Sequence, residues 1–98
     1  MAADRTPVDI ARNAADEVAL FIEPQALTGE VRLSGVPDGF ILRDEAGREV
    51  SLDVPDEWME VLPHEAEVLL FEFDTGADRL VSERRVSVEV ASATFRKS

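Results

Sequence analysis

Cysteine is absent from this sequence, lysine occurs once, at Lys97, and histidine once, at His64. Without cysteine there is no disulfide, no thiolate metal site and no cysteine nucleophile, and the redox compartment stays open. No apolar run approaches the ~20 residues a membrane helix needs, and Val18 to Ile22 falls far short of it. The opening MAADRTPVD sets no basic flank before an apolar stretch, so no secretory leader is expected. There is no phosphate-cradling glycine motif, and no serine or threonine stands in a nucleophile context. His64, between Pro63 and Glu65, reads as an exposed loop side chain. These absences leave a non-enzymatic, cytoplasmic protein with no cofactor and no membrane segment as the expectation.

What is abundant is negative charge. Asp and Glu total 21 against 10 Lys and Arg, a formal net of −11. Residues 38–74 carry twelve of the acids against only Arg43 and Arg48, whereas residues 75–98 are net basic. Such a field repels phosphate backbones and attracts basic partners. An acidic, lysine-poor surface equally suits a salt-rich cytoplasm or a lysine-poor, high-GC genome. The apolar fraction of 45% is ordinary for a folded chain of 98 residues, which we read as one domain over 1–98.

The chain's organising stretch is Thr28 to Val54, where apolar and polar residues alternate in three runs: Val31 and Leu33, then Phe40 and Leu42, then Val50, Leu52 and Val54. Period-two alternation is the signature of half-buried strands. Pro37-Asp38-Gly39 and Asp44-Glu45-Ala46-Gly47 can close the two turns of a meander. Upstream, Thr6-Pro7 reads as a helix start, and Val8, Ala11, Ala15, Val18 and Ile22 recur at helical spacing up to Pro24. A helix over residues 6–23 is expected, although Glu17 to Ile22 also reads as a short buried strand. Pro55 to Leu62 predicts a short helix ended by Pro63. Glu67 to Phe73 predicts a strand apolar on both faces and hence central. Arg84 to Val90 predicts a last strand, with Arg79 to Val81 an earlier part of it offset by a bulge near Ser82-Glu83. Residues 92–98 carry no pattern and are expected to fray.

Three meandering strands, a short helix and two further strands, with Gly29-Glu30-Val31 and the Phe40 to Gly47 hairpin, resemble the OB-fold. That resemblance implies a mainly β, five-stranded antiparallel barrel over residues 28–91, with the short helix between strands 3 and 4 and the N-terminal helix outside the pattern. It also implies a nucleic-acid face on Ile41 and Arg43 with Glu49, Ser51 and Asp53, where only Arg32, Arg43 and Arg48 could meet phosphate. The charge disfavours that reading outside a halophilic setting, and Phe40, Phe71 and Phe73 are expected in the core. The same acids instead suggest a protein-binding or assembly module, an adaptor for a partner with a basic surface, or a mimic of nucleic acid that occupies a basic site. The expected partner-binding set is Asp44, Glu45, Glu49, Asp53, Asp56, Glu57, Trp58 and Glu60. Trp58 also reads as a core plug. The apolar stripe of the N-terminal helix suits either its own barrel or a second copy of the chain. Asp56 with Glu60, and Glu65 with Glu67, are pairs that chance supplies among so many acids. Asp74, Thr75 and Asp78 around Gly76 fall short of a calcium loop and predict a plain hairpin turn.

Overall fold

The computed structural model describes residues 5–36 and 39–89. Its strands are β1 (Thr6–Pro7), β2 (Asp9–Arg12), β3 (Val18–Ile22), β4 (Arg32–Val36), β5 (Gly39–Arg43), β6 (Glu49–Asp53), β7 (Glu67–Asp74) and β8 (Arg79–Glu89). They form one eight-stranded mixed sheet in the order β1-β6-β5-β4-β8-β7-β3-β2, curled into a nearly closed barrel. The expected β4-β5-β6 meander is present, antiparallel throughout, with Leu33 opposite Leu42 and Leu42 opposite Val50.

The expectation of five antiparallel strands is overturned: the described residues form eight, and β1/β6, β3/β7 and β4/β8 pair in parallel. The order therefore departs from the OB pattern. The N-terminal helix is also absent, and residues 6–22 form three strands. Helical and strand readings compete in this segment, and its local chemistry decides for the hairpin. Asn13 Oδ1 accepts hydrogen bonds from the N–H groups of Ala15 (2.9 Å) and Glu17 (3.0 Å), turning the chain by an Asx-type loop. Asp16 takes the left-handed conformation (φ 68°) that Asp tolerates better than most residues. Val18, Phe21 and Ile22 then favour an extended backbone.

Both margins of the sheet, β1 and β2, belong to one stretch of chain interrupted only at Val8. β1 runs parallel to β6, with Thr6 opposite Leu52. β2 runs antiparallel to β3, with Ile10 opposite Leu20. Between them Val8 turns inward and is buried. A single segment thus clasps both margins and leaves little free edge.

The barrel interior is filled by alternate residues of these strands, among them Val18, Leu20, Leu33, Phe40, Leu42, Leu52, Val68, Leu70 and Val86. The connection from β6 to β7 is helical, as expected, but consists of two 3-10 turns, Asp56–Trp58 and Leu62–His64. Leu62 is fully buried, and Trp58 packs partly buried against the core. The most apolar strand, β7, lies third from the β2 margin rather than at the centre. β8 is continuous, and its register shift leaves Val81 as the extra residue, since Glu72 faces Ser82 and Phe73 faces Leu80. The Pro37-Asp38 part of the first turn and the tail at 92–98 lie outside the described residues.

If Val8 is the fastener between the two margins, Val8→Ala removes two buried methyl-sized groups and lowers unfolding stability by about 1–3 kcal/mol. Urea unfolding should show this, with a smaller loss for the half-exposed Ile10→Ala.

Candidate functional site

The segment from Glu23 to Val31, joining β3 to β4, is secured largely by side chains reaching it from two directions. From the β5–β6 turn, Asp44 Oδ2 accepts from Thr28 N–H (2.8 Å) while Oδ1 accepts from Arg48 N–H (2.8 Å). Glu45 N–H donates to Thr28 C=O (3.0 Å), and Glu45 Oε1 accepts from Glu30 N–H (3.2 Å). Gly29 sits at φ 68°, and a Cβ there would run into the Glu45 side chain, so both conformation and space require glycine. Backbone N–H donors, Thr28 foremost, hold the Asp44 carboxyl below its ordinary range despite burial.

From the sheet, Glu72 reaches the same segment. It lies on the inward side of β7 with Val68 and Leu70, and its side chain is only 4% exposed. Its Oε2 accepts from Gln25 N–H (2.7 Å), and its Oε1 accepts from Ser82 Oγ. Arg84 places Nη2 3.7 Å from Glu72 Oε1 and donates from Nη1 to Gly29 C=O (2.9 Å). Beside these groups opens a cavity of about 570 Å³. Its polar wall is Arg48, Glu72, Ser82 and Arg84; its apolar wall is Pro24, Ala26, Leu27 and Val81. Ala26 adopts φ 56°, a left-handed conformation costing a non-glycine residue roughly 1–2 kcal/mol. Ser82 Oγ bonds Glu72 and no imidazole, and His64, the one histidine of the sequence, is exposed on the β6–β7 connection.

A second surface lies on the outside of β3 and β7. Phe21 and Phe71 sit opposite each other in register and stack, with ring centroids 5.0 Å apart and planes at 13°. Asp9 of β2 pairs with Phe21, and Glu83 of β8 pairs with Phe71. One outward row therefore reads Asp9, Phe21, Phe71, Glu83. Phe21 is 38% exposed, and Leu80, opposite Phe73, is 47% exposed. Neither Asp9 nor Glu83 enters an ion pair among the described residues. In the next row, Ala19 and Leu69 are buried yet lie outside the interior cluster. Arg85, opposite Leu69, crosses β7 to Glu17 (3.2 Å) and Glu67 (3.6 Å), carrying its stem over that row.

The eight residues expected to form a partner surface are dispersed. Asp44 is buried as a turn fastener, which overturns the view of it as a presented acid. Glu45 is exposed but engaged with Glu30, and Glu49 is bonded to Arg43. Asp53, Asp56, Glu57 and Glu60 are exposed around the β6–β7 connection. Trp58 lies half-buried with the Arg12 guanidinium 6.0 Å over its ring. A smaller cleft of about 240 Å³ joins Asp44 and Glu45 to Glu30, Arg32, Arg43 and Glu89, and the other six take no part in it. Of the phenylalanines expected inside, only Phe40 is there; Phe71 and Phe73 are half-buried on the outer face. The Asp74–Asp78 stretch is a hairpin turn held by Ala77 N–H to Asp74 Oδ1 (3.2 Å), and no metal-holding cluster occurs among the described residues. No helix among them is long and apolar enough to cross a membrane.

In class, then, this is a small, nearly closed mixed β-barrel with a side-chain-pinned cleft and an aromatic outer face. No family model matches the chain, and neither a curated protein nor a solved structure matches it.

Because its folded pKa is depressed, the Asp44 carboxylate contributes stability that is present above the ordinary aspartate range near ~3.9 and lost as pH falls through the folded value. Asp44→Asn should be less stable than the parent in urea at pH 7. The gap should narrow as pH falls below 4, when the parent's own carboxylate protonates.

Proposed function

We propose that the protein is a non-catalytic binding module that captures a basic segment of a partner protein on the outer face of β3 and β7. The observation that carries this reading is the row Asp9, Phe21, Phe71, Glu83: two stacked rings with, at both ends, carboxylates that form no ion pair among the described residues. An arginine or lysine laid on Phe21 would gain cation–π attraction to the ring and an ion pair at the rim. Apolar neighbours of that cation would cover Phe73 and Leu80. Asp53, Asp56, Glu57 and Glu60 add to the long-range field that draws such a segment in. A second copy of this chain is a poor occupant, since it would set carboxylate rims against each other, and the N-terminal helix whose stripe suited either its own barrel or a second copy is replaced by strands.

Nucleic acid is disfavoured as a partner. Arg32 is bound to Glu89 (2.8 Å) and Arg43 to Glu49, so a phosphate would have to displace carboxylates already in place. Catalysis is disfavoured by the lone exposed His64 and by the absence of an imidazole beside Ser82.

The test is to pan a random twelve-residue peptide library on the immobilised protein and measure the enriched sequences by calorimetry. Enriched peptides should combine Arg or Lys with apolar residues, weaken with added salt, and lose at least tenfold in affinity to Phe21→Ala or Phe71→Ala, about 1.4 kcal/mol. Enrichment of acidic peptides, or affinities indifferent to both substitutions, would overturn the reading.

A further inference from the structure

We propose that the 570 Å³ cavity beside the β3–β4 connection is a binding site for a small organic monocarboxylate with an apolar body. Its volume falls within the ~300–1,000 Å³ range of small-ligand pockets, and four independent features converge on it.

The first is Arg48. In a chain with a net charge of −11, five arginines are committed among the described residues: Arg12 to Glu65, Arg32 to Glu89, Arg43 to Glu49, Arg84 to Glu72 and Arg85 to Glu17; Arg5 and Arg79 form no ion pair there either, but neither lines the cavity. Arg48 lines the cavity, yet its guanidinium has no ion pair or hydrogen bond among the described residues. Only its backbone is used, in holding Asp44. A planar fork of open donors matches a carboxylate well.

The second feature sets the ligand's charge. Glu72 is already inside and satisfied by Gln25 N–H, Ser82 Oγ and Arg84. Two guanidinium groups against one carboxylate leave one positive charge uncompensated. That favours a monoanion and repels a free amine, while the Glu72 charge penalises dianions such as phosphate monoesters.

The third and fourth features are the wall and how the backbone shapes it. Val81 is 46% exposed and is the residue extruded by the β8 register shift, so the bulge presents an apolar side chain to the cavity. Opposite it, Ala26 holds a left-handed conformation on the connecting segment. Local strain and bulges of this kind gather at binding sites. An alkyl or aryl body would lie between Val81 and the Pro24–Leu27 wall with its carboxylate on Arg48. This site uses the inward side of β7 and is separate from the Phe21–Phe71 face.

The experiment is a 15N-detected titration of the full chain with sodium octanoate below its micelle concentration, beside octanol and octylammonium controls. A parallel arm uses acetyl-Ala-Ala-Leu with a free and with an amidated C-terminus, which separates a free acid from a peptide terminus as the source of the carboxylate. Saturable shifts at Gln25 to Leu27, Arg48 and Ser82 to Arg84 are expected for octanoate and not for octanol or octylammonium. Arg48→Ala should weaken octanoate at least tenfold and Arg48→Lys less, since both keep the backbone groups that bond Asp44. Val81→Asp, which changes the apolar wall without touching Arg48, should abolish octanoate binding. The proposal fails if octanol binds as well as octanoate, if Arg48→Ala leaves the affinity unchanged, or if the shifts map to Phe21 and Phe71. It also fails, as to the source, if only the free-terminus peptide saturates.

Discussion

Closure of the barrel rests on one short segment serving two margins. Thr6 and Pro7 pair with β6, and Asp9 to Arg12 pair with β3, so the chain passes from one edge of the sheet to the other through Val8. Strand directions permit this. Following the sheet order across its mix of parallel and antiparallel pairs brings β1 and β2 out pointing the same way, as two halves of one strand must. Pro7 is tolerated there because a short edge strand can spare its missing N–H. A barrel nearly closed in this way offers little edge for another strand to join, and leaves its faces and its ends as the accessible surface.

Sealing the barrel also fixes which side chains are left outside. Once Val18, Leu20, Ile22, Val68 and Leu70 fill the interior, the alternate residues Phe21, Phe71 and Phe73 have no place but the outer face. The same parity sends Glu72 inward, where a carboxylate is tolerated only if it is hydrogen-bonded. Gln25, Ser82 and Arg84 supply those bonds. The β3–β4 connection has polar backbone groups to satisfy, and Asp44 and Glu45 on one side and Glu72 and Arg84 on the other satisfy them at Gln25, Thr28, Gly29 and Glu30. The cleft exists because this connection is pinned at intervals by side chains instead of being packed flat as a strand.

The meander was legible because its alternation has no competing period, and Leu33, Leu42, Val50 and Leu52 are all buried as their spacing implies. Residues 6–22 were not, since Val8, Ala11, Ala15, Val18 and Ile22 satisfy a helical repeat as readily as two short strands. What settles them is the Asn13 turn and pairing to β6 and β7, far along the chain. The aromatic face carried a visible signal. Glu67 to Phe73 is apolar on both sides, which reads as centrality in a flat sheet but, in a closed barrel, means that one apolar side faces out. Glu72 carried one too: a single acid inside an apolar strand is either a fault or a fastener.

The overall charge obscures these distinctions because its carboxylates do different jobs. Asp44 and Glu72 are internal fasteners, and Glu17, Glu49, Glu65, Glu67 and Glu89 are tied to arginines. Exposed ion pairs of that kind add little to stability, but they neutralise the cations they hold. Most arginines of the barrel are silenced in this way. The exceptions among the described residues include Asp9 and Glu83 beside Phe21 and Phe71, and the side chains of Arg5, Arg48 and Arg79, which form no ion pair there. On the two proposals made above, a molecule this acidic would offer surfaces of opposite preference, one for cations on its outer face and one for an anion in its cleft. The inward and outward alternation of a single strand, β7, keeps them apart.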